Sequence, residues 1–222
     1  MKSSITTIGR KWFQRSRFSS AAYWSERYAA GGNSGPGSCG ELAKFKAAVL
    51  NRFVQDNAIE SVIEFGCGDG NQLALARYPR YTGFDISPLA VQACRKLFRD
   101  DASKEFFLAS EDDRREADLA LSLDVVFHLT EDRIFDAYMR RLFAAAGKYV
   151  IVYSSDQDEP IEPVAPHVRH RHFTRWVERE MALRWRLVKR IPNAHRYNGD
   201  YRTTSFCDFF IYTKEEAVAT AV

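Results

Sequence analysis

Residues 60–87 decide the fold, and they read ESVIEFGCGDGNQLALARYPRYTGFDIS. The apolar run 61–65 predicts a buried strand, and glycines follow it at positions 66, 68 and 70. We expect a helix over 70–78 and then a second strand over 81–87, which ends near Asp85. Parallel strands end at one edge of a sheet, so this stretch predicts a ligand site made of bare backbone and a carboxylate.

Strands and helices continue to alternate on both sides of this stretch. The predicted strands are 61–65, 81–87, 105–110, 118–126, 148–155, 185–191 and 205–213, and the predicted helices are 41–58, 70–78, 88–100, 131–146 (ending at Gly147) and 173–182. This order predicts an α/β fold, namely a Rossmann-like, doubly wound, mostly parallel seven-stranded sheet with helices on both faces. The aromatic-rich strand pair at the end of the chain predicts that the last strand is antiparallel.

Composition is that of an ordinary globular protein. The 222 residues are 45% hydrophobic and 27% charged, with a net charge of +3, so nucleic acid is not expected as a partner. No run of 18 apolar residues predicts a membrane span. The four cysteines are widely spaced and form no C-x-x-C, so we predict no metal site, reduced thiols and a cytoplasmic location.

The first 40 residues differ from the rest of the chain. Residues 1–20 contain five basic residues and no acid, and they lack the apolar core of a secretory signal. The segment 29–40 reads AAGGNSGPGSCG and cannot form the interior of a helix or strand. We therefore predict a basic arm and glycine-rich cap over 1–40, followed by a ligand-binding domain over 41–222.

The glycine pattern distinguishes between two kinds of nucleotide ligand. Dinucleotide-binding folds use G-x-G-x-x-G, whereas residues 64–70 read E-x-G-x-G-x-G. The acids Glu64 and Asp69 are badly placed for a pyrophosphate, but they suit a ligand with positive charge. Asp85 suits the two hydroxyls of a ribose. A ribose beside a cation, without a pyrophosphate, describes S-adenosylmethionine.

At this point the sequence resembles the class I S-adenosylmethionine-dependent methyltransferases. EFGCGDG (64–70) is similar to their first motif, GFDIS (83–87) to their second, and SLDVVFHL (122–129) to the segment at the end of their fourth strand. The resemblance implies S-adenosylmethionine as cofactor and S-adenosylhomocysteine as product. The resemblance covers roughly residues 20–214, and its motifs lie within 60–155.

The resemblance also implies roles for individual residues. The residues that would contact the methionine part of the cofactor are Gly66, Cys67, Gly68, Gly70, Leu123 and Asp124, while Glu64 would hold the loop or reach the amino group through water. Asp85 would bind the ribose, Ile86 would pack on the adenine, and Glu111 or Asp112 would face the adenine amino group. From the cap, Tyr28, with Gly31 and Gly32, would reach the carboxylate end of the cofactor.

Histidines follow the fourth and fifth predicted strands, at the edge where a methyl acceptor would sit. His128 lies in DVVFHL, and His167, His170 and His172 lie in HVRHRHF (167–173). We predict His128, His170 or His172 as the base that removes a proton from an alcohol acceptor. The adjacent Arg169 and Arg171 suit a carboxylate or phosphate, or form a solvated face, and Tyr197 and Tyr201 suit a sugar or a ring.

The expected function is methyl transfer to a hydroxyl of a small-molecule or saccharide acceptor. Two alternatives stay open: a cofactor-binding or scaffold subunit without turnover, and an RNA or protein methyltransferase recruited by the basic arm. The oligomeric state does not follow from the sequence.

Overall fold

A computed structural model of the chain describes residues 18–162 and 164–215. The basic residues of the predicted arm, from Lys2 to Arg17, lie outside the described residues. Among the residues that are described, no helix is both long enough and apolar enough to cross a membrane.

The helices are α1 (Ser20–Ala29), α2 (Gly40–Asp56), α3 (Pro88–Leu97), α4 (Asp132–Ala144) and α5 (Phe173–Glu180). The strands are β1 (Val62–Phe65), β2 (Tyr81–Asp85), β3 (Lys104–Leu108), β4 (Ala117–Leu123), β5 (Ala146–Ser154), β6 (Trp185–Ile191) and β7 (Asp208–Lys214). Short 3-10 turns lie at Pro36–Ser38, Leu73–Leu75, Ala109–Glu111 and Val126–His128.

The strands form one seven-stranded sheet in the order β3-β2-β1-β4-β5-β7-β6. Neighbours among β1 to β5 pair in parallel, and β7 lies antiparallel between β5 and β6. The predicted fold class is confirmed, including the antiparallel last strand. The strand order reverses at β1 and β4, so a crevice opens beyond their carboxyl ends.

Two hydrophobic layers hold the helices against the sheet, because alternate residues of a strand face opposite sides. In β5, Ile151 and Tyr153 pack in the layer of α2 and α3, whereas Val150 and Val152 pack in the layer of α4 and α5. All four residues are at most 1% exposed. Strands covered on both faces account for the continuous apolar runs in the sequence.

The prediction of a helix over 70–78 was wrong. The chain makes a 3-10 turn at Leu73–Leu75 and is extended at Ala76. Asn51 of α2 explains the difference, since its side chain donates to the Leu75 carbonyl at 2.9 Å and accepts from the Arg77 amide at 2.8 Å. These backbone groups would otherwise need partners inside a helix. The end of α4 also differs, because Gly147 lies inside β5.

Candidate active site

The loop after β1 lies against the loop after β4 and the segment before α2. Gly66 has a φ of +87°, and a β-carbon there would lie 2.4 Å from Val125 Cγ2. Gly68 has a φ of +59°, and a β-carbon there would lie 2.3 Å from Ser34 Oγ. Both positions therefore require glycine, for backbone conformation and for close approach.

Asp85 connects this loop to the end of β2. Its two carboxylate oxygens accept hydrogen bonds from the amides of Gly68 and Ser87, each at 2.9 Å. The side chain is 7% exposed, and burial raises the pKa of Asp85 while the backbone hydrogen bonds oppose that rise. A carboxylate with two oxygens has lone pairs left for a ligand hydroxyl.

Glu64, in β1, is a second buried acid at the same edge. It is 5% exposed, and its Oε2 accepts a hydrogen bond from the Tyr81 hydroxyl at 2.6 Å. Burial raises the pKa of Glu64 to about 7, an effect only partly opposed by that hydrogen bond and by the charge of Lys46. Glu64 can therefore change its charge near neutral pH.

Lys46 and Asp124 form an ion pair beneath the site. Lys46 of α2 is 1% exposed, and its Nζ lies 2.5 Å from Asp124 Oδ2. Asp124 directly follows β4 and adopts a φ of +59°, which is unusual for a residue with a side chain. Sequence reasoning missed Lys46, although its position between Leu42 and Leu50 on the apolar face of a helix was a signal.

The helix α1 and residues 30–39 form a cap over this edge of the sheet. The Ser34 amide donates to Asp69 Oδ2 at 2.9 Å, and the Asp69 amide donates to Ser34 Oγ at 3.0 Å. The Tyr28 hydroxyl lies 2.9 Å from the same Ser34 Oγ. A β-carbon on Gly37 would lie 3.0 Å from Asp124 Oδ2, so the cap also contacts the ion pair.

A cavity of about 200 Å³ lies between the cap and the strand ends. Of the predicted cofactor residues, Tyr28, Glu64, Gly66, Cys67, Gly68, Asp85, Ile86, Leu123 and Asp124 line it, together with Lys46, Trp24, Ser34 and His128. Small-molecule sites commonly enclose about 300–1,000 Å³, so we expect the cap to move outward when a ligand of nucleoside size enters.

Three of the residues predicted at the cofactor do not line this cavity. A β-carbon on Gly70 would lie 2.9 Å from Phe98, so this glycine faces the end of α3. Glu111 is exposed and accepts a hydrogen bond from the Leu108 amide at 2.7 Å. Asp112 accepts hydrogen bonds from Nε and Nη2 of Arg141. Ala109 is the residue after β3 that lines the cavity.

A second cavity, of about 730 Å³, adjoins the first. Trp24, Ser34, Asp124 and His128 line both cavities and therefore form the boundary between them. His167, His170, Tyr197 and Tyr201 line the second cavity, as do Arg27 and Arg202.

His128 is held in a defined orientation at this boundary. Its Nδ1 lies 2.8 Å from the carbonyl oxygen of His167, and its ring contacts the Trp24 ring edge-on with centroids 4.8 Å apart. Because a carbonyl only accepts, Nδ1 carries the proton of the neutral ring and Nε2 keeps a lone pair. Burial lowers the pKa of His128, so the ring is neutral at physiological pH.

The other two histidines predicted as bases differ in position. His170 is 7% exposed in the wall of the second cavity, and its Nδ1 lies 2.7 Å from Ser155 Oγ. His172 lines neither cavity; its Nδ1 lies 3.5 Å from Asp156 Oδ2, at the start of α5.

Arg169 and Arg171 also do not line the boundary between the cavities. Arg171 donates to Asp132 Oδ1 at 2.6 Å and to the carbonyls of Leu129 and Thr130 at 3.0 and 2.9 Å. Arg169 donates to the Thr130 carbonyl at 2.8 Å. These arginines hold the loop after β4 in place, whereas the sequence suggested either a site for a carboxylate or phosphate or a solvated face.

The sequence of residues 40–200 matches the family described as "Methyltransferase domain". No match was found among curated protein sequences.

Solved structures of similar fold are methyltransferases. The methyltransferase domain of bacterial CtHen1 superimposes with a TM-score of 0.61 at 18% identity, covering 78% of this chain and 98% of that chain. Magnesium protoporphyrin IX methyltransferase from Synechocystis PCC 6803, with bound S-adenosylhomocysteine, gives 0.60 at 15% identity, covering 92% and 100%. The N-methyltransferase NodS from Bradyrhizobium japonicum WM9 gives 0.59 at 14% identity, covering 79% and 88%. Identities this low show the fold alone.

Proposed function

The chain belongs to the methyltransferase domain family and is an S-adenosylmethionine-dependent methyltransferase, and we propose that it methylates a hydroxyl group of a small-molecule acceptor. The observation that carries this proposal is the boundary between the two cavities. A neutral histidine, His128, faces both the cavity beside the glycine loop and the larger cavity next to it.

The methyl donor occupies the first cavity in this proposal. Its ribose hydroxyls bind the carboxylate of Asp85, and Ile86 covers the adenine. The methionine part lies along Gly66 and Gly68, where the absence of side chains leaves the backbone accessible. The positive sulfonium and ammonium groups lie near Glu64, which offsets their charge when it is ionised, and beside Asp124, which is paired with Lys46.

The acceptor occupies the second cavity, with its hydroxyl at His128. The hydroxyl oxygen attacks the methyl carbon in line with the sulfur, and the carbon–sulfur bond breaks with its electron pair left on sulfur. The product is neutral S-adenosylhomocysteine and an ether. The hydroxyl proton becomes strongly acidic as the new carbon–oxygen bond forms, and Nε2 of His128 accepts it.

Position distinguishes His128 from the other predicted bases. His170 lines the second cavity but not the first, so we propose that it shapes the acceptor site. His172 lies outside both cavities, and we propose that it has no part in catalysis. Glu111 and Asp112 are engaged with other groups, so we propose that backbone near Ala109 faces the adenine instead.

Incubation of metabolite extracts with the protein and methyl-deuterated S-adenosylmethionine, followed by mass spectrometry, tests the function. We expect a labelled methyl ether. A labelled N-methyl product would contradict hydroxyl transfer, and tight binding of S-adenosylhomocysteine without any labelled product would favour the scaffold alternative.

The variant His128→Ala tests the base, with His172→Ala as its matched control. Loss of a general base lowers kcat by about 10²–10⁴-fold, and we expect the lower end of that range because the lowered pKa makes His128 a weak base. The His128→Ala protein should still bind S-adenosylhomocysteine, and the His172→Ala protein should bind it as the unaltered protein does. Full turnover in His128→Ala would place the base elsewhere.

A further inference from the structure

Arg27 of α1 presents a fixed positive charge to the second cavity. Its Nε donates to the Asn33 carbonyl at 2.8 Å, and its Nη1 donates to the Tyr23 hydroxyl at 3.4 Å. Its Nη2 lies 3.8 Å from the site of a β-carbon on Gly35, which also lines the cavity. Across residues 18–162 and 164–215, the Arg27 guanidinium forms no ion pair with a carboxylate. It is therefore oriented by the cap and available to an anion.

The remaining charges in the wall do not cancel that of Arg27. Asp124 is paired with Lys46, and Arg202 adds a further positive charge from the loop between β6 and β7. Burial lowers the pKa of His167 and of His170, so both rings are neutral near pH 7. The second cavity is consequently positive, which favours an acceptor with negative charge.

Aromatic rings form much of the same wall. Phe206 contacts Phe127 and His170, with ring centroids 5.3 and 4.8 Å apart, and Tyr197 packs on it at 5.8 Å. Trp24 also lines the cavity, and its ring packs against His128. Such walls bury a planar ring by stacking or by edge contacts.

Three small polar side chains of the wall, those of Asn33, Thr204 and Ser205, are already hydrogen-bonded within the protein. Asn33 Oδ1 accepts from the Gly35 amide at 2.9 Å, and Ser205 Oγ accepts from the Cys207 amide at 3.1 Å. Thr204 Oγ1 donates to the Asp200 carbonyl at 2.5 Å. A saccharide would need free partners for several hydroxyls, because buried polar groups without partners are costly. The wall therefore suits a ring better than a sugar.

From the positive charge and the aromatic lining of the second cavity, we infer that the methyl acceptor is an aromatic compound with a carboxylate group. This inference rests on the proposed function. The ring of the acceptor packs against the aromatic wall that includes Trp24, Phe127 and Phe206, its carboxylate binds Arg27, and its hydroxyl reaches His128. Arg202 supplies additional positive charge at the mouth of the cavity.

Binding of matched ligand pairs to the protein saturated with S-adenosylhomocysteine tests this inference. The ligands are benzoate, 4-hydroxybenzoate and 4-hydroxycinnamate, each compared with its primary amide by saturation-transfer NMR and calorimetry. A hydrogen bond to a charged group corresponds to about 10–100-fold in affinity, so the acids should bind at least about tenfold more tightly than the amides.

Three variants locate the effect. Arg27→Met should abolish the preference for acids, Arg27→Lys should retain part of it, and the exposed Arg133→Met is the control that should retain all of it. The affinity for S-adenosylhomocysteine and the melting temperature report whether each variant is folded. If Arg27→Met fails to fold, the same comparison with Arg27→Lys and with increasing salt still measures the contribution of the charge.

The outcomes separate this inference from the proposed function. Equal binding of acids and amides by the unaltered protein would overturn the aromatic acid, and an acid preference that survives in Arg27→Met would overturn the role of Arg27; both results leave hydroxyl methylation standing. A labelled ether on a non-aromatic or uncharged acceptor would also overturn the aromatic acid and leave hydroxyl methylation standing. Labelled N-methyl products would overturn the proposed function itself.

Discussion

Glu64 should make the stability of the protein depend on pH in a direction opposite to that of most acids. Burial raises its pKa from 4.5 to about 7, so the folded protein retains a proton that the unfolded chain releases. Below pH 4.5 both states are protonated and Glu64 has no effect. As the pH rises from 4.5 to 7, only the unfolded state ionises, and the free energy of unfolding falls. Above pH 7 the loss is complete and constant.

The size of the loss follows from the shift in pKa. Each pKa unit corresponds to about 1.4 kcal/mol, so the full effect is about 3 kcal/mol. Between pH 5 and pH 8 about 2–3 kcal/mol of it should appear. The variant Glu64→Gln keeps the shape and an acceptor for the Tyr81 hydroxyl but cannot ionise. Its stability relative to the unaltered protein should therefore rise by about 2–3 kcal/mol between these two pH values.

Urea unfolding of both proteins without ligand, at pH 5 and at pH 8, measures the difference, because all other titrating groups are common to the two proteins. The exposed Glu178→Gln is the control and should follow the unaltered protein at both pH values. Parallel stability curves for Glu64→Gln and the unaltered protein would refute the reasoning. A related signature is proton release when S-adenosylmethionine binds at pH 7, seen by calorimetry in buffers with different ionisation enthalpies, since a nearby cation favours the ionised acid.

Two further predictions concern the cap and the buried ion pair. Gly68→Ala places a methyl group 2.3 Å from Ser34 Oγ, so we expect the cap to be displaced. The affinity for S-adenosylhomocysteine, measured by calorimetry, should then fall more than in the control Gly199→Ala. Equal affinities of the two variants would show that the cap does not depend on this contact. Lys46→Met leaves Asp124 without its partner, and the loss of one member of a buried pair costs about 3–5 kcal/mol. Because the Asp124 side chain is 22% exposed, we expect urea unfolding to show a smaller loss in the free energy of unfolding, of about 2–3 kcal/mol. The exposed Lys44→Met is the matched control. An unchanged urea midpoint in Lys46→Met would contradict the role of the ion pair.

The strands were predictable because their signals are local and strong. Continuous apolar runs such as residues 148–155 have few alternatives to a strand covered on both faces. The glycines at 66 and 68 and the acid at 85 are likewise visible in the sequence, and the structure brings them to one edge of the sheet.

The parts that sequence reasoning missed depend on partners far away in the chain. The segment 70–78 has a helical pattern, but Asn51 binds its backbone groups and ends the turn early. Asp112 pairs with Arg141 of α4, a contact that nothing near Asp112 in the sequence indicates. Lys46 lies among apolar residues in the sequence, and its partner Asp124 is far away along the chain. Only the fold brings Asp124 within reach of the Lys46 ammonium group.

In the function proposed here, the methyl donor rests against Gly66 and Gly68, and its ribose binds Asp85. The most direct measurement compares S-adenosylhomocysteine with its 2′-deoxy analogue, by calorimetry, on the unaltered protein and on Asp85→Asn. A hydrogen bond from the 2′-hydroxyl to a carboxylate corresponds to about 10–100-fold, so the unaltered protein should lose that much affinity for the deoxy analogue. The Asp85→Asn protein should bind the two ligands almost equally. The same loss in both proteins would contradict the claim, because the ribose would then be held by another group.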